Sequence, residues 1–159
     1  MSAPPQPTLP AARPADFQVT YDWDNGSLPP PYHYEYTLTA GPGEQGSLRY
    51  VPGYGFDDPP VWTESFPVTA GDLDALYALA VSENLLRADW PTVDNPPVGG
   101  EVGYAALVAA GQTFHIPSAL TDADQAAADA LYWRLTRLAP PALWDKLTAQ
   151  REAFMEARR

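Results

Sequence analysis

The chain of 159 residues contains no cysteine, and this absence excludes several chemistries at once. Disulfide bridges, thiolate nucleophiles, zinc ribbons and iron–sulfur clusters all depend on that residue. Histidine is also scarce: there are two, and no spacing of aspartate or glutamate around them supplies the further ligands of a metal site. We therefore expect neither a metal nor a cofactor.

Basic residues are few, and Lys146 is the only lysine. The formal net charge is −11, divided into −6 over residues 1–68 (8 acids, 2 bases), −4 over 69–100 (5 acids, 1 base) and −1 over 101–159 (7 acids, 6 bases). Such a charge repels phosphate backbones and anionic membrane surfaces, so we expect no nucleic-acid or membrane binding. The acidic excess serves either solubility alone or the docking of a basic protein partner.

Long hydrophobic runs are missing as well. No stretch of the sequence approaches the roughly 18 apolar residues that a membrane-spanning helix needs. The stretch MSAPPQPTLPAARPAD at the start lacks the charged and apolar regions of a signal peptide. These absences predict a soluble, cytoplasmic protein.

Proline, glycine and aromatic residues, by contrast, are plentiful. The chain has 19 prolines, 11 glycines and 12% aromatic residues, so it combines many turns with enough ring surface to build a core. Residues 1–15 are rich in proline and alanine, and we predict a disordered tail there. Residues 16–159 are predicted to form a single globular domain.

Alternation of apolar and polar residues predicts a β-hairpin early in the domain. In residues 17–24 and again in 32–39, aromatic or aliphatic side chains occupy every second position, and an Asn-Gly pair with several prolines lies between them. Two such runs around a turn are typical of a hairpin. Four later runs, SLRYV, VWTESFPV, EVGYAALVAA and QTFHIP, predict further strands. The last of these places His115 on the solvent side of its strand.

Three segments have the spacing of helices, namely residues 69–84, residues 121–139 and the stretch that begins at Pro141. Thr69 is a suitable N-cap for the first, and Asn84 is a suitable left-handed stop. The second helix is predicted to bury one stripe, formed by Ala127, Leu131, Leu135 and Leu138. Together these elements predict an α+β fold, in which a mostly antiparallel sheet of about six strands has three helices packed mainly on one face.

The stretch DWDNGSLPPPYHYEY suggests a metal site, but the spacing of a calcium loop fails in it. Counting from Asp22, Asp24 is at position 3, yet the glycine comes at position 5 and His33 at position 12. A calcium loop of the EF-hand type needs an oxygen ligand at 5, glycine at 6 and a bidentate glutamate at 12. As a hairpin, the stretch is predicted to pair Asp22 with His33, because the alternative register sets Asp22 against Glu35.

The Asp22–His33 pair has two interpretations. A carboxylate that orients a histidine is the arrangement of a general base or metal ligand, and Glu35 lies two residues further on. The same pair is also an ordinary cross-strand contact that contributes about 0.2–1 kcal/mol. Asp22, His33 and Glu35 are therefore candidate binding residues.

The loop PGYGFDDPP offers a second candidate surface. Tyr54 and Phe56 stand between glycines and prolines, next to Asp57 and Asp58. Aromatic side chains on a stiff loop provide contact area at a small entropy cost, which favours a binding surface. The alternative is that both rings fold back as a lid on the core.

No residue pattern identifies a catalytic group, because the chain lacks a phosphate-binding glycine motif and a nucleophile elbow. We expect a non-enzymatic interaction protein of the immunity or inhibitor kind. It would hold a basic partner through the tyrosine face of the sheet (Tyr32, Tyr34 and Tyr36), if the helices leave that face uncovered, or through the loop with Tyr54 and Phe56. The first alternative is a small hydrolase or metal-dependent enzyme that uses Asp22, His33 and Glu35. The second is a structural homodimer built on an exposed sheet.

Overall fold

A computed structural model describes residues 8–30, 32–94, 96 and 100–158 of the chain. Six strands and three helices make up the described part. The strands are β1 (Gln18–Asp24), β2 (Glu35–Ala40), β3 (Gln45–Val51), β4 (Trp62–Pro67), β5 (Val102–Ala109) and β6 (Gln112–Ile116). The helices are α1 (Ala70–Ser82), α2 (Asp122–Thr136) and α3 (Pro141–Glu156), and a short 3-10 turn spans Gly55–Asp57.

The strands form one sheet in the order β4-β3-β2-β1-β5-β6, and every neighbouring pair is antiparallel. Helix α1 connects the edge strand β4 to β5 across the sheet. Alternate strand residues point toward the helices and are fully buried, as Val19, Leu38, Leu48 and Leu107 show. The other face carries polar side chains and has no helix over it among the described residues. The predicted α+β architecture is confirmed.

The helix boundaries follow the predicted local signals. At the start of α1, the Asp72 N–H donates to Thr69 Oγ1 at 3.0 Å, and the Thr69 N–H donates to Asp72 Oδ2 at 3.1 Å. This reciprocal pair is a capping box, which satisfies two backbone donors that a helix start leaves free. Asn84 follows α1 in the left-handed region at φ 53°, and Pro141 is the first residue of α3.

The buried stripe of α2 is rotated relative to the prediction. Leu131 and Leu135 are buried as expected, but Ala128 is buried in place of Ala127, and Tyr132 joins it. The Tyr132 ring stacks on Tyr21 of β1 with centroids 4.0 Å apart. The side of α2 that faces the sheet therefore includes Ala128 and Tyr132 and not Ala127. The sequence spacing alone could not show this contact.

Part of the predicted tail packs against α1. The Tyr77 hydroxyl donates to the Pro10 carbonyl at 2.6 Å, and Arg13 pairs with Asp74 at 2.7 Å. Leu9 also packs on the core. Residues 1–7 lie outside the described part of the chain, so the predicted division into tail and domain stays a prediction. No helix within the described residues is long and apolar enough to cross a membrane.

The register of the first hairpin differs from the prediction. The aromatic faces of β1 and β2 do lie on the same side, but Asp22 is opposite Thr37, and His33 comes before β2 begins. The predicted pairing of Asp22 with His33 is therefore wrong. The observed register sets Asp24 opposite Glu35, although both are carboxylates.

Hydrogen bonds of Asn25 explain this register. The Asn25 N–H donates to the Tyr34 carbonyl at 3.2 Å, and the Tyr34 N–H donates to Asn25 Oδ1 at 2.9 Å. The Asn25 side-chain amide also donates to the Tyr32 carbonyl at 2.9 Å, and Asp24 Oδ1 accepts the Gly26 N–H at 2.8 Å. Each such bond contributes about 0.5–1.5 kcal/mol, so together they outweigh one cross-strand repulsion of about 0.2–1 kcal/mol.

Candidate functional site

Three aromatic rings from two loops form a column at one corner of the domain, which we call the ring stack (His33, Tyr54 and Phe56). The His33 and Tyr54 rings are 3.8 Å apart with an interplanar angle of 8°. The Tyr54 and Phe56 rings are 5.0 Å apart at 12°. The stack therefore joins the loop after β1 to the loop after β3, and it unites two candidates that the sequence left separate.

The inner end of the ring stack is buried and hydrogen-bonded. His33 is only 4% exposed. Its Nδ1 lies 2.7 Å from the Gly26 carbonyl oxygen, and its Nε2 lies 3.2 Å from Glu35 Oε2. Both ring nitrogens thus lie within hydrogen-bond distance of an oxygen atom, and these contacts position the His33 ring on which Tyr54 stacks.

The outer end of the ring stack is open to solvent. The Tyr54 hydroxyl donates to the Leu28 carbonyl at 2.5 Å, which fixes the middle ring. A 3-10 turn follows, and it ends at Asp58 with a left-handed φ of 50°. This turn directs the Phe56 ring outward, and 80% of that residue is exposed. The Tyr54 ring folds back onto His33, whereas the Phe56 ring is exposed, so the two rings of this loop differ in placement.

Replacing the inner ring tests whether the hydrogen bonds of His33 stabilise the fold. We expect His33→Phe to keep the stacked ring area but to lower the free energy of unfolding by about 1–3 kcal/mol, because the Gly26 carbonyl loses its buried partner. Urea unfolding of the purified variant measures this change.

The matched control for that variant is His115→Phe, since His115 is the other histidine and is exposed on β6. A surface substitution of this kind changes stability by about 0.5 kcal/mol or less. Equal losses in both variants would show that the contacts of His33 add nothing to the fold.

Acidic residues surround the ring stack. Asp57 and Asp58 belong to the same turn as Phe56, and Glu35 lies beside His33. Arg158 stands over the Phe154 ring at 3.8 Å and, with Asp57, lines a hollow next to this corner. The predicted candidates Asp57 and Asp58 therefore lie close to the exposed ring.

Asp22 is separate from the ring stack. It lies on the uncovered sheet face, where its Oδ1 accepts the Thr37 hydroxyl at 2.5 Å. A small hollow of about 90 Å³ there is lined by Asp22, Asp24, Glu35 and Tyr104, among others. The pKa of Tyr104 is raised above its usual value, first by burial and then by these three carboxylates. Arg49 also lines the hollow, so three carboxylates and one guanidinium meet there.

The three residues of the enzyme alternative do not converge on one open position. Glu35 contacts His33, but Asp22 is engaged with Thr37, and the His33 ring is covered by Tyr54. Within the described ranges, no group of three or more His, Asp or Glu side chains is placed to hold a metal ion.

A second concave feature, which we call the aromatic cleft, lies between the sheet and α3 and has a volume of about 440 Å³. Its rings are those of Trp23, Tyr34, Tyr36, Tyr50 and Trp144. Trp23 stacks on Tyr36 at 5.1 Å, Tyr34 stacks on Tyr50 at 5.5 Å, and Trp144 meets Tyr36 edge-on at 5.0 Å. Helix α3 therefore covers the predicted tyrosine face only in part and leaves a hollow beside it.

Two arginines line the same cleft. Arg151 stands over the Tyr34 ring at 3.9 Å, and Arg137 stands over Trp133 at 4.2 Å. The sequence offered the tyrosine face as a candidate surface but did not indicate these arginines. The spacing of Trp144, Thr148 and Arg151 does place them on one side of a helix. Nothing in the sequence, however, shows that this side of the helix meets the tyrosines of β2 and β3.

No protein-family model matches this chain, and no curated protein matches it significantly in sequence.

Proposed function

We propose that this protein is a non-enzymatic interaction protein that binds a basic protein partner through the ring stack, as an immunity or inhibitor protein does. The observation that carries the proposal is Phe56, an 80% exposed ring that stacks on Tyr54. Binding energy in protein interfaces is concentrated in a few aromatic or arginine side chains. A ring that is ordered before binding loses little entropy when a partner covers it.

Neighbouring apolar residues support an interface at this corner. Leu28, whose carbonyl anchors Tyr54, is 42% exposed, and Tyr32 of the same loop is 48% exposed. With Phe56, they place three large exposed hydrophobic residues on the two loops that the ring stack joins. Exposed apolar patches rimmed by polar groups mark interaction sites.

Charge supports a basic partner. Asp57 and Asp58 directly follow Phe56 in the chain, Glu35 lies beside His33, and the whole chain has a formal net charge of −11. An acidic rim around an apolar centre attracts a basic surface and repels an acidic one. Of the other functions considered, the enzyme lacks a converged site among the described residues, and a second copy of this chain would bring like charges together.

The test is affinity capture from cells that express the protein, with Phe56→Ala beside the wild type. We expect Phe56→Ala to weaken binding of the purified partner by about 30-fold or more, since a hot-spot residue contributes at least about 2 kcal/mol. Calorimetric titration of that partner at low and high salt measures the affinity, which should fall as salt rises.

The matched control is Val81→Ala, because Val81 is an exposed apolar residue on α1 (46% exposed). It should leave the affinity unchanged, and both variants should keep wild-type stability within about 0.5 kcal/mol. A partner that binds Phe56→Ala as tightly as the wild type, or independently of salt, would contradict the proposal. Light scattering that shows a dimer disrupted by Phe56→Ala would assign the surface to a second copy instead.

A further inference from the structure

We propose that the aromatic cleft is a second, independent binding site, and that its ligand is a small organic anion with a carboxylate on an aromatic ring. The ring of this ligand would pack among Trp23, Tyr36 and Trp144, and its carboxylate would pair with Arg151 and Arg137. This site does not depend on the ring stack or on a protein partner.

The charge of the cleft is opposite to that of the chain. The whole sequence has 20 acidic and 9 basic residues, yet the residues that line the cleft include two arginines and no aspartate or glutamate. Neither Arg137 nor Arg151 forms an ion pair with any residue of the described ranges. Two arginines without counter-ions in one hollow are suited to an anionic ligand.

Arg151 has an unused donor at this position. Its Nε is buried and has no hydrogen-bond partner within the described part of the protein. Buried donors are nearly always paired. The Nε has almost no exposed surface, so a ligand in the cleft reaches it only if the Arg151 side chain shifts, and that bond would then supply the partner that the Nε lacks among the described residues. A carboxylate accepts two parallel bonds from a guanidinium and matches this requirement.

The same arginine argues against a cationic ligand. Aromatic clusters can bind cations through their ring faces, but the Arg151 guanidinium already occupies the face of Tyr34 at 3.9 Å. A second cation would be repelled there. Arg151 also acts on Tyr50, whose pKa is raised by burial and lowered in part by this positive charge.

The shape of the cleft favours a ring over a chain. Its volume of about 440 Å³ falls within the about 300–1,000 Å³ of small-molecule sites. Its walls are aromatic, and aromatic rings pack on one another in stacked or edge-on arrangements at about 4.5–7 Å. A flat ligand therefore gains contacts that an aliphatic acid of similar size does not.

The experiment compares three probes on the full chain: 2-naphthoate, the cation 2-naphthylmethylammonium and cyclohexanecarboxylate. Trp23 and Trp144 lie in the cleft, so tryptophan fluorescence reports binding directly, and calorimetry gives the stoichiometry. We expect 2-naphthoate to bind at one site, at least about tenfold more tightly than the cation and more tightly than the aliphatic acid. Equal affinity for the naphthyl anion and cation would overturn the proposal.

Arg151→Gln removes the charge and should weaken 2-naphthoate binding by about tenfold or more, whereas Arg151→Lys should have an intermediate effect. The control is Arg134→Gln, the same substitution at an exposed position of α2 that does not line the cleft. Thermal unfolding verifies that each variant is folded. Equal 2-naphthoate affinity in Arg151→Gln and Arg134→Gln would refute the site, and unchanged binding in Phe56→Ala would show its independence from the ring stack.

Discussion

Raising the pH above about 10 is expected to unfold this protein cooperatively, and buried tyrosines are the cause. Burial is the main influence that raises the pKa of Tyr21, Tyr36, Tyr50 and Tyr132 far above the usual value of about 10. Neighbouring acidic groups add to this effect, as Glu101 and Asp129 do for Tyr21.

The direction of the effect follows from proton linkage. Below about pH 10 both the folded and the unfolded chain keep these four protons, so the tyrosines do not make stability depend on pH. Above that pH the unfolded chain releases them and the folded chain does not. The free energy of unfolding therefore falls as pH rises, by at most about 5 kcal/mol per pH unit for four groups. The free energy of unfolding of a domain is only about 5–15 kcal/mol. The chain should therefore unfold before the folded state releases these four protons.

An alkaline titration tests this coupling between ionisation and unfolding. Tyrosinate absorbance reports the ionisation of the tyrosines, and far-UV circular dichroism reports the loss of secondary structure. Tyr21, Tyr36, Tyr50 and Tyr132 should ionise together with the loss of secondary structure. In Tyr36→Phe the pH dependence of stability above about pH 10 should be reduced by about a quarter, since one of four protons is removed. Gradual ionisation of all tyrosines in a chain that keeps its helices would contradict the prediction.

Truncating Leu147 is expected to detach α3 from the sheet. Leu147 is completely buried, and it is the buried residue of α3. A leucine-to-alanine change at such a position costs about 2–5 kcal/mol, because apolar contact is lost and a cavity remains. Since α3 carries Trp144 and Arg151, the same variant should also disorder the aromatic cleft.

Urea unfolding gives the stability of Leu147→Ala, and amide hydrogen exchange reports on α3 separately. The matched control is Leu143→Ala, an identical change on the same helix at a half-buried position, where we expect a loss of about 1 kcal/mol. A Leu147→Ala variant as stable as Leu143→Ala, with unchanged exchange along α3, would show that the helix is held elsewhere.

Local signals predicted the elements well, because each depends on residues close together in the chain. Thr69 and Asp72 form the expected capping box, and Asn84 takes the left-handed conformation that ends α1. The alternation in the first hairpin also placed its aromatic face correctly. It did not predict the register, because the side chain of Asn25 selects that by bonding to Tyr34 and Tyr32.

The candidate surfaces were predictable only in part. The composition of the loop with Tyr54 and Phe56 identified it as a candidate surface. The stacking of Tyr54 on His33 could not be predicted, because the two rings belong to different loops. The cleft arginine, Arg151, was not recognised, because its partner Tyr34 is distant in the chain. Ring contacts between distant segments leave no periodic signal in a sequence.

The sequence by itself determined the class of this protein: an acidic, cysteine-free α+β domain with the strands and helices that its periodicities predict. These properties follow from composition and from interactions within a few residues. Only the tertiary structure decided which surfaces the domain presents. It turned Phe56 outward on Tyr54, which stacks on a buried histidine, and it left two arginines without counter-ions in an aromatic hollow. Such surfaces arise where distant segments pack together, and the physical cause is burial of the core, which orients the remaining side chains.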